Sequence, residues 1–457
     1  MSSDQNNLTF KKALDHVSKV IPNYRRLIFK AIITFMVIGQ DHKRIASIVR
    51  SFGSFFCESK ITEKRFYLFL ASAMIKWDQI LMRVLELLGE NILTDGLLML
   101  IVDDTTYGKS GKKISGCQTH FDHAAKLNHS KWIFGHCRVI VGLQVFIHGR
   151  WACLPLLQKL YQRAEKPLKT KGNKKSSGKG NKAKSSQHTS SPTKIEIAFE
   201  LINRLRRFIG KPVLVNTDSW FGVKTMLDGL DGATDQPKAH VLSRLRININ
   251  LFDFPQAQSR KKKGRPAKYG KKLPKLSELA TRYERKKGLF FIYGKQRECV
   301  YSEFTSMCRC LQRPIKVVLI HNEKTKRFFP IFTTDLTMTA QQMIERYSAR
   351  WKIECSIKEL KHELGALDNQ ARKPHSVENH FNLCCLSMTL AWIHALYQDK
   401  TPKRRFANQT KRGYAFADVR QQIKNQYQKP LDFSGVCPNV IKTAKNLVLK
   451  HFFAHNS

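Results

Sequence analysis

Two uninterrupted apolar runs that end in aspartates place the tightest limit on how this chain can fold. The first run, GLLMLIVDD (96–104), ends at Asp103 and Asp104, and the second, KPVLVNTD (211–218), ends at Asp218. Runs of this kind, without alternating polar residues, are typical of strands that are buried on both faces of a sheet. A helical pattern lies just before the second run. The sequence therefore predicts an α/β fold with carboxylates at the ends of two buried strands.

Other patterns add helices and strands around these two. Residues 1–90 have mostly helical spacing, and 137–157 predicts a hairpin that turns at 148–150. Several short strand patterns follow one another within 244–335. The segment 375–397 is apolar on nearly all sides, which predicts a buried helix.

The segment YSARWKIECSIKELK (347–361) has helical spacing and two different faces. One face is an aliphatic stripe that predicts contact with a core; it consists of Ile353, Ile357, Leu360 and Leu364. The neighbouring arc of about 80° combines an aromatic ring, a carboxylate and cations; it consists of Tyr347, Arg350, Glu354, Lys358 and Lys361. Spacing alone fits either a solvated face with i,i+4 ion pairs or an edge of an active site.

The charge of the chain points to a polyanionic partner. The 457 residues include 80 Lys and Arg against 35 Asp and Glu, which gives a net charge of +45. Such an imbalance destabilises a compact fold by self-repulsion unless a polyanion neutralises it, and nucleic acid is the usual one. Ribosomal and viral coat proteins share this property, so charge alone does not identify a function.

Cysteine usage and hydropathy predict a cytoplasmic protein. The eleven cysteines are odd in number and have no repeating spacing, which favours reduced thiols. No apolar run of 18 residues without charges occurs, so no membrane span is expected. The polar N-terminus, MSSDQNNLTF, does not resemble a secretory signal.

Three basic segments are candidates for DNA contact, each with a simpler alternative. SRKKKGRPAKYGKK (259–272), with Arg265 in its Gly-Arg-Pro core, resembles a minor-groove AT-hook but is equally consistent with a basic linker. Two helix patterns that start at 41 and 61 resemble a helix-turn-helix, although most such pairs are ordinary core. The Lys-, Gly- and Ser-rich stretch 164–194 predicts a disordered loop, which fits contact with DNA phosphates and a solvated insertion without a role equally well.

Three carboxylates form the one chemical constellation in the sequence. Asp103 and Asp218 each close a buried strand, and Glu354 lies on the helical segment described above. A two-metal phosphoryl-transfer site needs such hard oxygen ligands. Because side chains alternate along a strand, only one of Asp103 and Asp104 can face the site. Strand alternation alone leaves open whether Asp103 or Asp104 faces the site.

These residues carry a resemblance to a known family. Tyr347, Arg350, Glu354 and Lys361 fit Y-x2-R-x3-E-x6-K without a gap. This pattern resembles the YREK signature of bacterial DDE transposases of the insertion-sequence-four group and its relatives. VDDTTYGKSGKK and VLVNTDSWF resemble the blocks around the first and second aspartates of that group. In the first block of the group a strand-end Asp is followed by an acidic residue and a Thr or Ser, so the resemblance favours Asp103 as the ligand, whereas an Asp-Thr-Thr reading would favour Asp104. The resemblance covers about residues 40–397.

The resemblance implies a site and its cofactors. It implies an RNase H-like core, a mixed sheet flanked by helices, in which Asp103, Asp218 and Glu354 bind two Mg²⁺ or Mn²⁺ ions. It also implies that Tyr347, Arg350 and Lys361 contact the transposon-end backbone, where Trp351 could stack. Lys358, on the same face of the segment, is a further predicted DNA contact. His120, His123 and His136 are interpreted as packed or hydrogen-bonded side chains rather than metal ligands.

The same reasoning divides the chain into five regions. They are a helical, DNA-binding N-terminal domain (1–92), the first part of the catalytic core (93–243), a β-rich insertion (244–335), the second part of the core (336–398) and a basic C-terminal region (399–457).

The resemblance implies a cut-and-paste transposase that acts at the terminal inverted repeats of an insertion sequence. A homodimer would join the two ends in a bacterial cytoplasm, associated with the nucleoid. Two alternatives stay open. One is a domesticated or inactive DNA-binding relative, and the other is an RNase H-like nuclease without strand transfer.

Overall fold

The computed structural model describes residues 8–39, 43–50, 61–90, 92–94, 96–122, 125, 127–163, 191–256, 267–405 and 413–428. Several predicted features lie wholly or partly outside these ranges: the basic loop 164–194, the Gly-Arg-Pro segment with Arg265, the first helix of the helix-turn-helix-like pair, His123 and the C-terminal region after 428.

Twelve strands of the described chain form one sheet. They are β1 (Leu93–Thr94), β2 (Leu97–Gly108), β3 (Gln118–Phe121), β4 (Trp132–Ile147), β5 (Arg150–Tyr161), β6 (Val213–Thr217), β7 (Ala239–Arg244), β8 (Leu251–Phe252), β9 (Lys286–Ile292), β10 (Lys295–Cys308), β11 (Arg313–Asn322) and β12 (Arg327–Thr333).

Helices cover both faces of this sheet. They are α1 (Phe10–Ser18), α2 (Asn23–Ile38), α3 (Glu63–Leu70), α4 (Trp77–Leu88), α5 (Lys194–Ile209), α6 (Lys224–Asp231), α7 (Leu276–Arg282), α8 (Ala340–Ser348), α9 (Trp351–His362), α10 (Pro374–Leu396) and α11 (Phe416–Gln428). In addition, residues 45–50 are helical. None of the helices in the described ranges is long and apolar enough to cross a membrane.

The order of the strands gives the sheet its mixed character. Neighbours lie in the order β5, β4, β2, β6 and β7. The first three are antiparallel to one another, whereas β6 runs parallel to β2 and β7 runs parallel to β6. This mixed sheet flanked by helices confirms the predicted α/β, RNase H-like fold class.

The strands of the 244–335 region continue the same sheet. β12 pairs with β7, and β11, β10, β9 and β8 follow. The region therefore packs against the core through a shared sheet edge. The domain boundaries drawn from the sequence stay a prediction.

Local sequence signals explain two of the key connections. The β4–β5 hairpin turns through His148 and Gly149, with φ angles of 45° and 79°, and a two-residue turn with positive φ at both positions matches the twist of its strands. Helix α5 begins with a reciprocal capping box between Thr193 and Glu196 and ends at Gly210, whose φ is 65°. Both elements were predicted and are confirmed.

Helix α10 is buried along nearly its whole length, as its all-round apolar sequence predicts. Its side chains include Trp392, which is 1% exposed. The helix packs on β5 on one side and on α1, α2 and α3 on the other. The Trp77 indole donates to Asn379 Oδ1 at 2.8 Å and ties α4 to the same helix. The N-terminal helices are thus attached to the sheet through α10.

A buried arginine joins β4 to α10. The Arg138 side chain is fully buried and donates to Tyr107 Oη at 3.0 Å, to Glu378 Oε2 at 2.9 Å and to the Val377 carbonyl at 3.2 Å. Gln158 Nε2 also donates to Glu378 Oε2, at 2.8 Å. A buried cation needs such a complete set of acceptors, because desolvation is costly without them.

Replacing Glu378 with Gln is expected to lower the free energy of unfolding by about 1–2 kcal/mol. The amide keeps an acceptor for Arg138 but leaves its charge uncompensated; Glu378 is 35% exposed, so water screens part of the loss. Glu200→Gln is the matched control, because Glu200 pairs with Lys159 at 3.1 Å on the surface. Chemical denaturation of both variants measures the difference. Equal midpoints for the two variants would contradict the prediction.

Candidate active site

Two of the predicted carboxylates lie side by side at one edge of the sheet. The parallel register of β2 and β6 pairs Ile101 with Asn216, so Asp103 and Asp218, two residues further along each strand, are at the same level and on the same face. Adjacent strands are about 4.8 Å apart. Burial is the main cause of the raised pKa of Asp103. The charge of the nearby Asp218 raises that pKa further.

Asp218 is held by the turn that follows β6. Its Oδ1 accepts from the backbone N–H groups of Trp220 and Phe221, at 2.9 and 3.1 Å. The Ser243 hydroxyl donates to the Asp218 carbonyl at 2.7 Å. These bonds fix the turn and leave Oδ2 without a hydrogen bond in the described part of the chain.

The third carboxylate approaches from a helix. The sequence favours one continuous helix over 347–361, but the structure divides this segment into α8 and α9. At the junction the Arg350 backbone N–H donates to the Tyr347 carbonyl at 2.9 Å, and the Ile353 N–H donates to the Arg350 carbonyl at 3.1 Å. These i→i−3 bonds tighten the turn relative to an α-helix. Glu354 consequently lies in the first turn of α9.

The aliphatic stripe of α9 and of the residues just after it faces the core as predicted. Ile353, Ile357, Leu360 and Leu364 are each 9% exposed or less. The opposite side carries Trp351, which is 50% exposed, and the exposed Lys358. Burial of this stripe fixes the rotation of α9 about its axis. With that rotation, Glu354 lies at the sheet edge, where it shares Arg350 with Asp103.

Arg350 bridges two of the three carboxylates. Its Nη1 lies 3.5 Å from Asp103 Oδ2 and its Nη2 lies 2.5 Å from Glu354 Oε1. Only 15% of the Arg350 side chain is exposed. Charge-assisted bonds of this kind are strong in a partly desolvated site. The guanidinium therefore acts as the counter-ion of the carboxylate cluster.

The electrostatics of the cluster favour an additional cation. Burial raises the pKa of Asp103 to about 7, although the Arg350 charge acts against this rise. The nearby positive charge of Arg350 therefore offsets only part of the cost of burying an ionised Asp103. In the described part of the chain, no group of three or more His, Cys, Asp or Glu side chains is close enough to hold a metal ion as it stands. The donor set suits a hard divalent ion, and Arg350 is the group that would have to withdraw to admit it.

Asp104 faces a different environment. Its Oδ2 accepts from Lys194 Nζ at 2.7 Å, and the Cys137 thiol lies 3.5 Å away. Lys194 is the first residue of α5. Asp104 thus has its own partner on the face opposite Asp103, away from Arg350.

Comparison with known protein families identifies the family to which the chain belongs. The model described as "DDE superfamily endonuclease" matches residues 42–288, just over half of the sequence. The chain belongs to this family. A second model, described as "Archaeal putative transposase ISC1217", matches residues 294–395. No curated protein matches the chain.

These matches confirm the predicted resemblance to insertion-sequence DDE transposases. Asp103 and Asp218 lie in the first matched segment and Glu354 lies in the second. The YREK subgroup and the individual role of each site residue stay predictions.

A cleft of about 310 Å³ opens beside the carboxylates of this DDE endonuclease. Asp218, Tyr347, Arg350 and Trp351 contribute to its walls. The Tyr347 ring packs 5.7 Å from the Phe329 ring, so the wall is held from the β12 side. Of the DNA-contact residues that the resemblance implies, Tyr347, Arg350 and Trp351 line this cleft.

Sequence reasoning missed several residues of the cleft, among them Arg244 and Tyr293. Arg244 ends β7, where the register that pairs Thr217 with Ser243 brings it level with Asp218. Tyr293 lies in the β9–β10 turn with a φ of 53° and is 58% exposed. No motif marks either residue, because each reaches the cleft only through strand pairing within the sheet.

The last signature residue, Lys361, lies further along α9. Its Nζ is 3.4 Å from the Thr106 carbonyl and 5.8 Å from the Tyr107 ring. Nearby, Lys109 Nζ donates to the carbonyls of Leu367 and Asn369, at 2.7 and 2.6 Å. Lys109 thus fixes the chain that leaves α9, and it has a structural part in the first-aspartate block of this DDE endonuclease.

Two histidines of the same block are packed side chains. His136 Nε2 lies 2.8 Å from the Ser115 carbonyl, and burial lowers the pKa of His136 to about 4. His120 is 2% exposed and packs beside the Tyr161 ring. Neither belongs to a metal-binding group in the described ranges.

Proposed function

We propose that this DDE endonuclease is a DNA transposase that binds the terminal inverted repeats of an insertion sequence and moves it by cleavage and strand transfer. The observation that carries the proposal is the meeting of Asp103 and Glu354 at Arg350, with Asp218 beside them at the end of the next strand. The family matches support a nuclease-type chemistry, and the net charge of +45 supports a polyanionic substrate.

We assign the three carboxylates to two Mg²⁺ or Mn²⁺ ions. When bound, such ions stabilise the charge that develops on the attacking and leaving oxygens of a phosphodiester. Asp103, Asp218 and Glu354 would hold them at the sheet edge. In this arrangement Arg350 leaves the carboxylates and binds a phosphate of the substrate strand instead.

The cationic face of the 347–361 segment positions the DNA. Arg350 and Lys361 bind phosphates of the DNA backbone, and the Tyr347 hydroxyl donates a hydrogen bond to the same backbone. The exposed Trp351 ring stacks on a base. Lys358 adds a cation at the solvent side. We add Arg244 to this set, because it lines the cleft at the level of Asp218.

Two successive displacements at phosphorus follow. In the first, water attacks a phosphodiester at the element end, the P–O3′ bond breaks, and the element strand is left with a free 3′-OH. In the second, that 3′-OH attacks a phosphodiester of target DNA, a new P–O3′ bond forms, and the target strand leaves with its own 3′-OH. No covalent enzyme intermediate is needed.

Transposition joins two ends, and one active site acts on each. We therefore propose a homodimer in the complex that holds both ends. The proposed location is the bacterial cytoplasm, with the protein on the nucleoid when it is bound to DNA.

Cleavage of a labelled duplex that carries the DNA flanking the gene tests this function. Wild-type protein with Mg²⁺ or Mn²⁺ is expected to nick at the element end and, with target DNA added, to give joined products. Asp218→Asn is expected to bind the duplex but not to cut it. Cleavage without joined products would favour an RNase H-like nuclease, and binding by both proteins without cleavage would favour an inactive DNA-binding relative.

A further inference from the structure

A second basic cavity lies beyond the C-terminal end of α9, outside the carboxylate site. It has a volume of about 680 Å³ and opens between the end of α2, the end of α9 and α11. Five cations and two carboxylates contribute to its walls; they are Lys43, Lys361, Arg405, Arg420, Lys424, Glu363 and Asp368. Even before any ligand binds, the cavity has an excess of positive charge.

The cations are held in position by the fold. Arg420 donates to the carbonyls of Val37 and Gly39, at 2.6 and 3.1 Å, and also pairs with Glu363. Because α11 brings residues four apart onto one face, Lys424 follows Arg420 into the same cavity. The Arg405 backbone is tied to Asp418 of α11 at 2.7 Å. A rigid group of cations loses little entropy when it binds an anion.

Crowding of like charges makes this cavity receptive to an anion. Lys424 is 5% exposed. Burial lowers the pKa of Lys424, and the charges of Arg405 and Arg420 lower it further. An anionic ligand in the cavity would reduce the repulsion among the charges of Arg405, Arg420 and Lys424.

The position of Lys361 connects the cavity with the active site. Lys361 belongs to the cationic face of α9 and also lines the cavity. It follows Glu354 by seven residues, which is about 10 Å along a helix. A DNA strand advances about 3.4 Å per nucleotide, so a strand that crosses the carboxylates reaches the cavity on the order of three nucleotides later.

The basic path continues past this cavity. A neighbouring cavity of about 830 Å³ shares Lys43 and Asp368 with it. Its walls add four cations and one exposed aromatic ring; they are Arg44, Lys64, Arg372, Lys373 and Tyr67. Cations along a groove with an aromatic side chain are typical of surfaces that follow a nucleic-acid strand. A free phosphate or nucleotide would not need this continuation.

We propose that the cavity between α2, α9 and α11 binds backbone phosphates of the DNA strand a few nucleotides from the cleavage point. This proposal rests on the proposed transposase function for its substrate. It assigns α11, which carries no recognisable motif, to DNA binding. Arg405 and Lys424 are the residues that contact phosphate, while Arg420 positions the helix.

The test is the salt dependence of DNA binding by the full-length protein, measured by fluorescence anisotropy on a duplex with the element end. Lys424→Gln and Arg405→Gln are each expected to weaken binding about threefold to tenfold and to reduce the slope of log K against log salt by about 0.9. Lys424→Arg is expected to restore the slope. Lys238→Gln is the control, because Lys238 is exposed and precedes β7, at the opposite sheet edge from Asp218.

The outcomes separate this proposal from the proposed function. If the wild-type protein cuts DNA but the slopes of both Gln variants equal that of Lys238→Gln, the cavity does not bind the strand and the transposase proposal stands. If inorganic pyrophosphate raises the Tm of the wild type but not of Lys424→Gln, while the DNA slopes stay equal, the cavity is a small-anion site and the proposal is wrong. Loss of slope in Lys424→Gln with an unchanged Tm supports it.

Discussion

Replacing Asp103 with Asn is expected to lower the rate of metal-dependent DNA cleavage on the order of 10³-fold, whereas the same replacement at Asp104 is expected to leave cleavage close to the wild-type rate. Asp103 shares Arg350 with Glu354 and lies beside Asp218. Its negative charge is therefore needed to hold the proposed metal ions. Asp104 instead pairs with Lys194 on the other face of the strand.

The pair of variants is well matched, because the two residues are adjacent in β2 and undergo the same chemical change. Loss of the partly exposed ion pair with Lys194 costs about 1 kcal/mol or less. Single-turnover cleavage of the labelled end, with binding measured in parallel, gives the comparison. If Asp104→Asn abolishes cleavage and Asp103→Asn does not, the assignment of the metal ligand is reversed.

Replacing Arg350 with Gln is expected to have two opposite effects. Without DNA, the affinity for Mn²⁺ or Mg²⁺ should increase about tenfold, since the guanidinium no longer competes for Asp103 and Glu354; that corresponds to about 1.4 kcal/mol. With DNA and saturating metal, cleavage should fall on the order of 10²-fold, because a phosphate contact that strengthens in the transition state is lost.

Metal affinity is measured without DNA by following the Tm during a Mn²⁺ titration. Lys358→Gln is the control, because it removes one positive charge from the same helix at an exposed position. A general electrostatic effect would raise metal affinity equally in both variants. If Arg350→Gln binds metal no more tightly than Lys358→Gln does, Arg350 does not compete with the metal ion.

A competing guanidinium also links metal and DNA binding. If Arg350 moves from the carboxylates to a phosphate, each ligand makes the binding of the other more favourable, and this coupling is reciprocal. The cluster would then acquire its metal ions mainly when a DNA end is present. That order would limit metal-dependent nicking of unrelated DNA.

Much of the architecture was readable from the sequence because it depends on local patterns. The continuous apolar runs become β2 and β6, the helical pattern before the second run becomes α5, and the all-round apolar segment becomes α10. The order of the carboxylates along the chain, with their strand-end and helical positions, led to the DDE family that the comparison confirmed. One local prediction was wrong. The segment 347–361 is not one continuous helix but is divided at Arg350, where i→i−3 hydrogen bonds replace the i→i−4 bonds of an α-helix.

Only the tertiary structure decided which side chains meet. Because side chains alternate along a strand, Asp103 and Asp104 face opposite sides of the sheet. Helix α9 packs on one side and α5 on the other, and this packing determines that Asp103 meets Arg350 and Asp104 meets Lys194. Arg350 and Asp103 are 247 residues apart in sequence. Such contacts follow from the burial of apolar faces by distant elements, and no local pattern records them. The cleft residues Arg244 and Tyr293 and the basic cavity beside α11 arise in the same way.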